Sequence, residues 1–143
     1  MTVQDENKKV VRRFFDEVVN QRNFHLVDAL VSTNNNDHTV PPGTDAGPEG
    51  MRQFLKMVTT AFPDMHIAVE DMVAEGDKVA VRITVTGTHK GMLMGIPPTN
   101  KRATWSGLDI IRLKDGKFVE RWGLRDFLGM FQQLGIVTIQ GQQ

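Results

Sequence analysis

The chain has 143 residues, no cysteine, and 17 basic against 17 acidic residues. This length fits one domain, and we expect a single domain over residues 1–143. Balanced charge without a basic cluster argues against a nucleic-acid-binding protein, and the lack of cysteine excludes disulfides, thiol nucleophiles and cysteine-bound metals. The expected partner is a neutral or weakly charged small molecule.

The N-terminal stretch "MTVQDENKKVVRRFF" lacks the apolar core of a signal peptide. No uncharged apolar run approaches the length of a membrane span. The sequence therefore predicts a soluble, cytoplasmic protein without a membrane partner.

Three helices are predicted in the first half of the chain. Apolar residues recur at helical spacing from Gln4 to Asn20, and a shorter helix is predicted over Phe24 to Val31. The following "STNNNDHTVPPGTDAG" concentrates turn-forming residues and predicts a loop. Pro48 suits the first turn of a third helix, which Pro63 ends.

After Pro63 the pattern changes to the alternation of β-strands. Two antiparallel strands, around residues 65–70 and 79–85, are joined at "AEGDK". A third strand, Arg102 to Leu113, reaches a fourth, Lys117 to Arg125, through the two-residue hairpin signal "KDGK".

A last helix is predicted over Phe127 to Leu134, with Gly135 as its left-handed cap. Helices first and antiparallel strands second predict an α+β fold, in which N-terminal helices cover a curved antiparallel sheet. Such a sheet forms a cone with an apolar hollow.

Familiar motifs of nucleotide chemistry and serine hydrolysis are absent: the sequence holds no GxGxxG after a strand, no GxxxxGK and no GxSxG. The histidines lack metal-ligand spacing, so a metal site would require long-range assembly of His38, His89 and a carboxylate. We therefore expect no metal and no organic cofactor.

His38 lies in the Pro/Gly-rich loop and His89 at the end of the second strand, which predicts a position at the rim of the hollow. For His38 a substrate contact and a role in bracing the loop both stay open. For His89 a substrate contact and a hydrogen-bonded structural role both stay open.

On the third strand, Trp105 and Asp109 share one face and Ser106 lies on the other, but alternation alone does not decide which face is inward. An inward Asp109 would need a partner or a proton. It is either a catalytic carboxylate or the partner of an arginine such as Arg82 or Arg121.

On the fourth strand, alternation places Trp122, Leu124 and Asp126 on one face, which predicts that all three line the hollow. Asp126 directly precedes a helix, so it is a candidate N-cap and equally a candidate catalytic group. The expected apolar and aromatic lining for an apolar or aromatic substrate consists of Phe15, Met92, Met94, Trp105, Trp122 and Leu124.

Two segments, "FPDMHIAVEDMVAEGDKVAVRITVTGTHKGMLMGIPPTNK" and "DIIRLKDGKFVERWGLRDFLGMFQQLG", resemble the SnoaL-like polyketide cyclases, or ester cyclases, of the nuclear transport factor two-like superfamily. The resemblance covers nearly the whole chain, with "DHTVPPG" in the first long loop. It implies a cone-shaped α+β barrel that assembles as a homodimer or higher homo-oligomer through the outer face of the sheet, and catalysis without a cofactor.

The resemblance also implies ring closure by an intramolecular aldol condensation. The family's catalytic aspartate lies just before the final helix, at the position of Asp126. Gly107 and Asp109 stand where family members carry larger or basic polar groups, which leaves the substrate open.

Aldol chemistry needs a base, a donor to the developing enolate oxygen and a cavity with little water. Asp126 is the predicted base and His89 or His38 the predicted donor. Trp105, Met92 and Met94 would form the wall against a polycyclic substrate.

Two other functions are compatible with this fold. One is an epoxide hydrolase-like enzyme in which Asp109 and Asp126 activate water, although no arginine stands two residues from Asp109 to organise the pair. The other is a non-catalytic small-molecule binding module.

Overall fold

The computed structural model describes residues 1–40, 43–138 and 140. The helices are α1 (Val3–Arg13), α2 (Val27–Leu30), α3 (Pro48–Ala61) and α4 (Phe127–Gln133), and the strands are β1 (Val31–Asp37), β2 (His66–Glu75), β3 (Lys78–Thr88), β4 (Arg102–Lys114) and β5 (Lys117–Arg125). Among the described residues, no helix is long and apolar enough to cross a bilayer.

The first helix begins at a capping box in which Thr2 and Asp5 each accept the other's backbone N–H. Beyond α1 the chain continues as a π-helical segment, Phe14–Asn20. The apolar side of the whole stretch is buried, including Val11 and Phe15. The predicted amphipathic helix is confirmed, but its second half is π-helical rather than α-helical.

The strands form one curved, open sheet in the order β1-β5-β4-β3-β2. The pairs β2–β3, β3–β4 and β4–β5 are antiparallel, and the helices pack on one face. We call that face the inner face and the opposite one the outer face. The predicted α+β fold with helices over a curved sheet is confirmed.

The segment predicted as a loop contains a strand. β1 pairs in parallel with β5, with Asn36 opposite Glu120 and Asp37 opposite Arg121. Asn35 and Asp37 are buried, and the Asn35 amide donates to the Ala46 carbonyl. Pairing with β5 outweighs the turn preference of these residues, so the loop prediction is wrong for this stretch and the sheet is not purely antiparallel.

A β-bulge interrupts β5 at Val119. Leu113 lies opposite Phe118, whereas Arg112 already lies opposite Glu120. Val119 is therefore an extra residue in β5, and it reverses which side chains face inward beyond it.

Because of this bulge, Trp122 and Leu124 lie on the outer face, opposite Ile110 and Leu108. Leu124 is 76% exposed. The prediction that Trp122 and Leu124 line the hollow is wrong, because it assumed unbroken alternation along β5. Arg121, Gly123 and Arg125 face inward instead.

Candidate functional site

The face of β4 that carries Trp105 points inward. Burial alternates along the strand, with Trp105 and Asp109 buried and Ser106 exposed. Trp105 lies in the core with its ring 5.2 Å from that of Phe62, and Phe15 is also buried there. Both predicted lining residues are buried in the core, and neither lines the cleft or the groove described below, so their contact with a substrate stays a prediction.

Asp109 is paired with two arginines of β5. Its Oδ1 accepts from Arg125 Nη1 at 2.5 Å and its Oδ2 from Arg125 Nη2 at 3.1 Å. Arg121 Nη2 approaches Oδ2 at 3.4 Å. The predicted pairing with Arg121 is confirmed, Arg82 takes no part, and Arg125 was not anticipated.

Arg121 connects this pair to β1. Its Nη1 donates to Asp37 Oδ2 at 2.8 Å, and Asp37 Oδ1 accepts from the Thr39 backbone at 2.9 Å. Burial alone would lower the pKa of Arg121, but the charges of Asp109 and Asp37 and their hydrogen bonds outweigh it, so the pKa is raised. We call Asp37, Asp109, Arg121 and Arg125 the Asp–Arg cluster.

Two glycines make room for the Asp–Arg cluster. A Cβ at Gly107 would lie 2.7 Å from Arg125 Cδ, and a Cβ at Gly123 would lie 2.6 Å from Asp109 Oδ1. The guanidinium of Arg125 therefore lies directly over the β4 backbone. Charged residues alternating with glycine in "RWGLR" are the sequence feature that indicates this cluster.

A shallow cleft of about 200 Å³ opens where β4 and β5 meet α4. Its lining residues are Ser106, Gly107, Leu108, Leu124, Arg125 and Asp126. Asp126 is exposed and caps α4, because its Oδ1 accepts from Gly129 N at 2.9 Å. The predicted cap is confirmed. Leu124 lines this open cleft together with Asp126, whereas Trp122 does not.

His89 is fully buried, so the prediction of a position at the rim is wrong. Its Nδ1 accepts from the Thr99 backbone at 3.2 Å, which places the proton of the neutral ring on Nε2. That Nε2 has no hydrogen-bond partner among the described residues. The Phe62 ring lies 5.6 Å away.

His38 lies on the outer face, stacked on Trp122 at 4.9 Å. Its Nε2 also contacts Glu120 Oε2 at 2.8 Å. Hydrogen bonds from His38 and then Arg112 hold the pKa of Glu120 below its usual value. These contacts brace the chain after β1, as the structural alternative for His38 anticipated.

His38 and His89 therefore occupy different surroundings, and the alternative metal site is not assembled. Within residues 1–40, 43–138 and 140, no three histidine or carboxylate side chains are grouped to hold a metal ion.

The loop between β3 and β4 is anchored to α3, since the backbone N–H groups of Lys90 and Gly91 both donate to Ala61 O. Met92 and Met94 are 56% and 61% exposed, whereas Leu93 is buried. The prediction that these methionines form a cavity wall is wrong, because the loop turns them toward solvent.

An apolar groove of about 550 Å³ runs across the outer face. Its lining residues are His38, Thr39, Ala80, Leu108, Asp109, Ile110, Trp122, Gly123 and Leu124. Leu108 is 60% exposed and Ile110 44% exposed. The described residues leave the apolar surface of this outer groove uncovered.

Comparison with known proteins identifies the family. Nogalonic acid methyl ester cyclase of Streptomyces nogalater is 31% identical over 101 residues, which are 70% of this chain and 75% of the relative. Aklanonic acid methyl ester cyclase DnrD of Streptomyces peucetius is 30% identical over 90 residues, 62% of each chain.

The structure of TsrD from Streptomyces laurentii is similar throughout, with a TM-score of 0.85, 27% identity, and coverage of 94% of this chain and 98% of TsrD. The family description "SnoaL-like polyketide cyclase" matches residues 9–134. The chain belongs to the SnoaL-like polyketide cyclase family.

Proposed function

We propose that the protein is a cofactor-independent cyclase that closes a ring in a polyketide-like ester or ketone by an intramolecular aldol reaction. The two relatives described above are a nogalonic acid methyl ester cyclase and an aklanonic acid methyl ester cyclase. The observation that carries the proposal is the open cleft in which Asp126 lies beside the apolar residues Leu108 and Leu124.

Asp126 is the proposed general base. The helix cap occupies Oδ1, and no described residue donates a hydrogen bond to Oδ2, which is the oxygen proposed to accept the proton. A methyl group at Gly129 would approach Oδ2 to 2.2 Å, so glycine at this position leaves the carboxylate its space. A base already oriented by a backbone N–H needs little reorganisation when the substrate binds.

Asp126→Asn separates capping from catalysis. Asparagine caps helices about as well as aspartate, so stability should stay within roughly 0.5 kcal/mol of wild type. An amide binds no proton at neutral pH, so turnover should fall about a hundredfold or more. The assay follows conversion of nogalonic and aklanonic acid methyl esters, with urea unfolding as the stability measurement.

Asp126→Ala is the comparison variant and should lose about 1 kcal/mol of stability together with the activity. Turnover by Asp126→Asn at the wild-type rate would remove the catalytic assignment. A wild-type protein that binds the esters without converting them would instead be a binding module.

Water activation on an epoxide is the second candidate function, and one observation favours it. The arginine that the sequence lacked next to Asp109 is supplied from β5, since Arg121 bridges Asp109 and Asp37. The side chains of Asp37 and Asp109 are at most 2% exposed, whereas Asp126 lies in an open cleft. The cyclase is therefore the first proposal and the epoxide hydrolase the second. Epoxide hydrolysis would be supported if Asp37→Asn no longer formed a diol from an epoxide and Asp126→Asn still did.

We also propose that the protein forms a homodimer through the outer groove. Exposed Leu108, Ile110 and Leu124 give this groove an apolar surface, and apolar faces of this kind are typical of interfaces between subunits. The chain carries no net charge, so electrostatic repulsion between two copies is small.

A further inference from the structure

We propose that the hydroxyl group of Ser106 donates a hydrogen bond to the substrate oxygen on which negative charge develops while Asp126 takes the proton. This assignment rests on the proposed cyclase function and gives that function its second group. The donors predicted from the sequence do not line the cleft, because His89 is buried in the core and His38 lies in the outer groove. Ser106, in contrast, lines the cleft together with Asp126.

Ser106 and Asp126 reach the cleft from neighbouring strands. Ser106 is exposed on the outer face of β4, between the buried residues Trp105 and Gly107. The register of β4 and β5 places Asp126 opposite Ser106, and the Asp126 backbone N–H donates to Ser106 O at 3.0 Å. Cβ atoms of residues that lie opposite each other in an antiparallel pair are about 5 Å apart. The two side chains are therefore near enough to contact adjacent atoms of one substrate.

The Ser106 hydroxyl has no hydrogen-bond partner among the described residues. A serine hydroxyl carries one donor hydrogen, which rotates about the Cβ–Oγ bond to meet an acceptor. The carboxylate oxygen proposed as the base is equally open, since Gly129 N bonds to Asp126 Oδ1 and no described residue donates to Oδ2. The described part of the cleft therefore brings an unpaired donor and an unpaired acceptor together.

The sheet holds Ser106 in a fixed position. β4 is the middle strand, with Thr84 of β3 opposite Ser106 on one side and β5 on the other. A donor fixed on a paired strand stabilises developing charge without reorganisation during the reaction. Leu108 and Leu124 give the cleft an apolar side. A hydrogen bond to a charged oxygen is stronger beside such a surface than in bulk water.

The proposed step needs no oxidant or reductant. Asp126 Oδ2 takes the proton from the carbon next to the carbonyl group. The C–H electron pair makes the oxygen of that carbonyl an enolate oxygen, which accepts the hydrogen bond from Ser106 Oγ. The enolate carbon then forms a C–C bond to the second carbonyl carbon, whose oxygen takes the proton from Asp126 and becomes a hydroxyl group. The first carbonyl is restored, and Ser106 keeps its proton throughout.

Ser106→Ala removes the hydroxyl group and leaves the backbone pairing in place. It should lower kcat about tenfold to a hundredfold with KM changed less than about threefold, because the bond strengthens only as charge develops on the acceptor. Ser106→Thr keeps a hydroxyl group at an exposed strand position, so its kcat should stay within about threefold of wild type. The assay follows conversion of nogalonic and aklanonic acid methyl esters, and urea unfolding checks that each variant is folded.

Thr104→Val is the matched control. Thr104 is exposed on the same face of β4 and does not line the cleft. Its backbone N–H and C=O bond to the Gln133 side chain, and valine retains both bonds. Its kcat should stay within about twofold of wild type, because a hydroxyl group outside the cleft contacts no reacting atom. Wild-type kcat in Ser106→Ala, or an equal loss of kcat in Thr104→Val, would overturn the proposal.

A binding measurement separates this assignment from the proposed function. The phenolate of 2-hydroxyanthraquinone imitates the enolate oxygen, and Asp126→Asn imitates the protonated base that faces it. In a fluorescence titration, Asp126→Asn should bind this phenolate at least about fivefold more tightly than the double variant Asp126→Asn with Ser106→Ala. 2-Methoxyanthraquinone carries no negative charge, so its affinities for the two proteins should agree within about twofold.

Equal phenolate affinity of the two proteins would overturn the role of Ser106. Absence of ester turnover in wild type, with the difference in phenolate affinity intact, would overturn the cyclase function and leave the oxygen-binding role of Ser106 in place.

Discussion

The stability of the protein at acid pH depends in part on Glu120, whose carboxylate lies beside the outer groove. Hydrogen bonds from His38 and Arg112 lower its pKa from the usual 4.5. A depressed pKa in the folded state means that Glu120 stabilises the fold above its unfolded pKa, and that this contribution is lost as the pH falls through the folded value. Wild type should therefore lose more free energy of unfolding between about pH 5 and pH 3 than Glu120→Gln. Urea titrations at both pH values measure the difference, and equal losses would contradict the assignment.

Single residues divide into those whose role depends on near neighbours in sequence and those whose role does not. The cap at Asp126 depends on Gly129, three residues away, and the sequence predicted it. Asp109 depends on Arg125, 16 residues away across a hairpin, and on the register of that hairpin. The sequence alone indicated that Asp109 needs a cationic partner and gave Arg121 as one candidate, but it did not identify Arg125 as the other.

Gly123 controls how closely β5 can approach the carboxylate of Asp109. A methyl group there would lie 2.6 Å from Asp109 Oδ1, which accepts from Arg125 Nη1, and 2.7 Å from Arg121 Nη2, which donates to Asp109 Oδ2. Gly123→Ala should therefore cost about 1–3 kcal/mol of stability by urea unfolding. In an Asp109→Ala background the same change should cost less, because the obstructing oxygen is gone. Equal costs in the two backgrounds would show that the clash is not with Asp109.

At the scale of elements, the strongly periodic segments were predictable and the irregular ones were not. α3 and β5 have the predicted bounds to within a residue or two. The bulge at Val119 reversed every later inward assignment on β5, because a single unpaired residue changes the parity of a strand. Adjacent apolar Phe118 and Val119 break the alternation and are the one visible sign of it.

Self-association can be tested at Ile110, which is not among the lining residues of the cleft. Ile110 lines the groove and is 44% exposed. Ile110→Lys should weaken the dimer about thirtyfold, equivalent to about 2 kcal/mol, because it places a charge within a desolvated apolar contact. Leu128 on α4 is a matched control at 50% exposed, and Leu128→Lys should leave the dimer unchanged. Sedimentation velocity measures both, and a monomeric wild type or an unchanged Ile110→Lys dimer would contradict the proposed interface.

The whole molecule follows the predicted α+β order except at one edge, where β1 joins the sheet beside β5. Asp37 and Arg121 are 84 residues apart in sequence. During synthesis on the ribosome β1 emerges long before its partner, and at about 5–20 residues per second the delay lasts several seconds. Until β5 is synthesised, the edge of β1 lacks its native partner strand and Asp37 lacks Arg121. Chaperone contacts and premature cleavage of the nascent polypeptide should therefore concentrate on this segment, and the Asp–Arg cluster should be among the last parts of the protein to assemble.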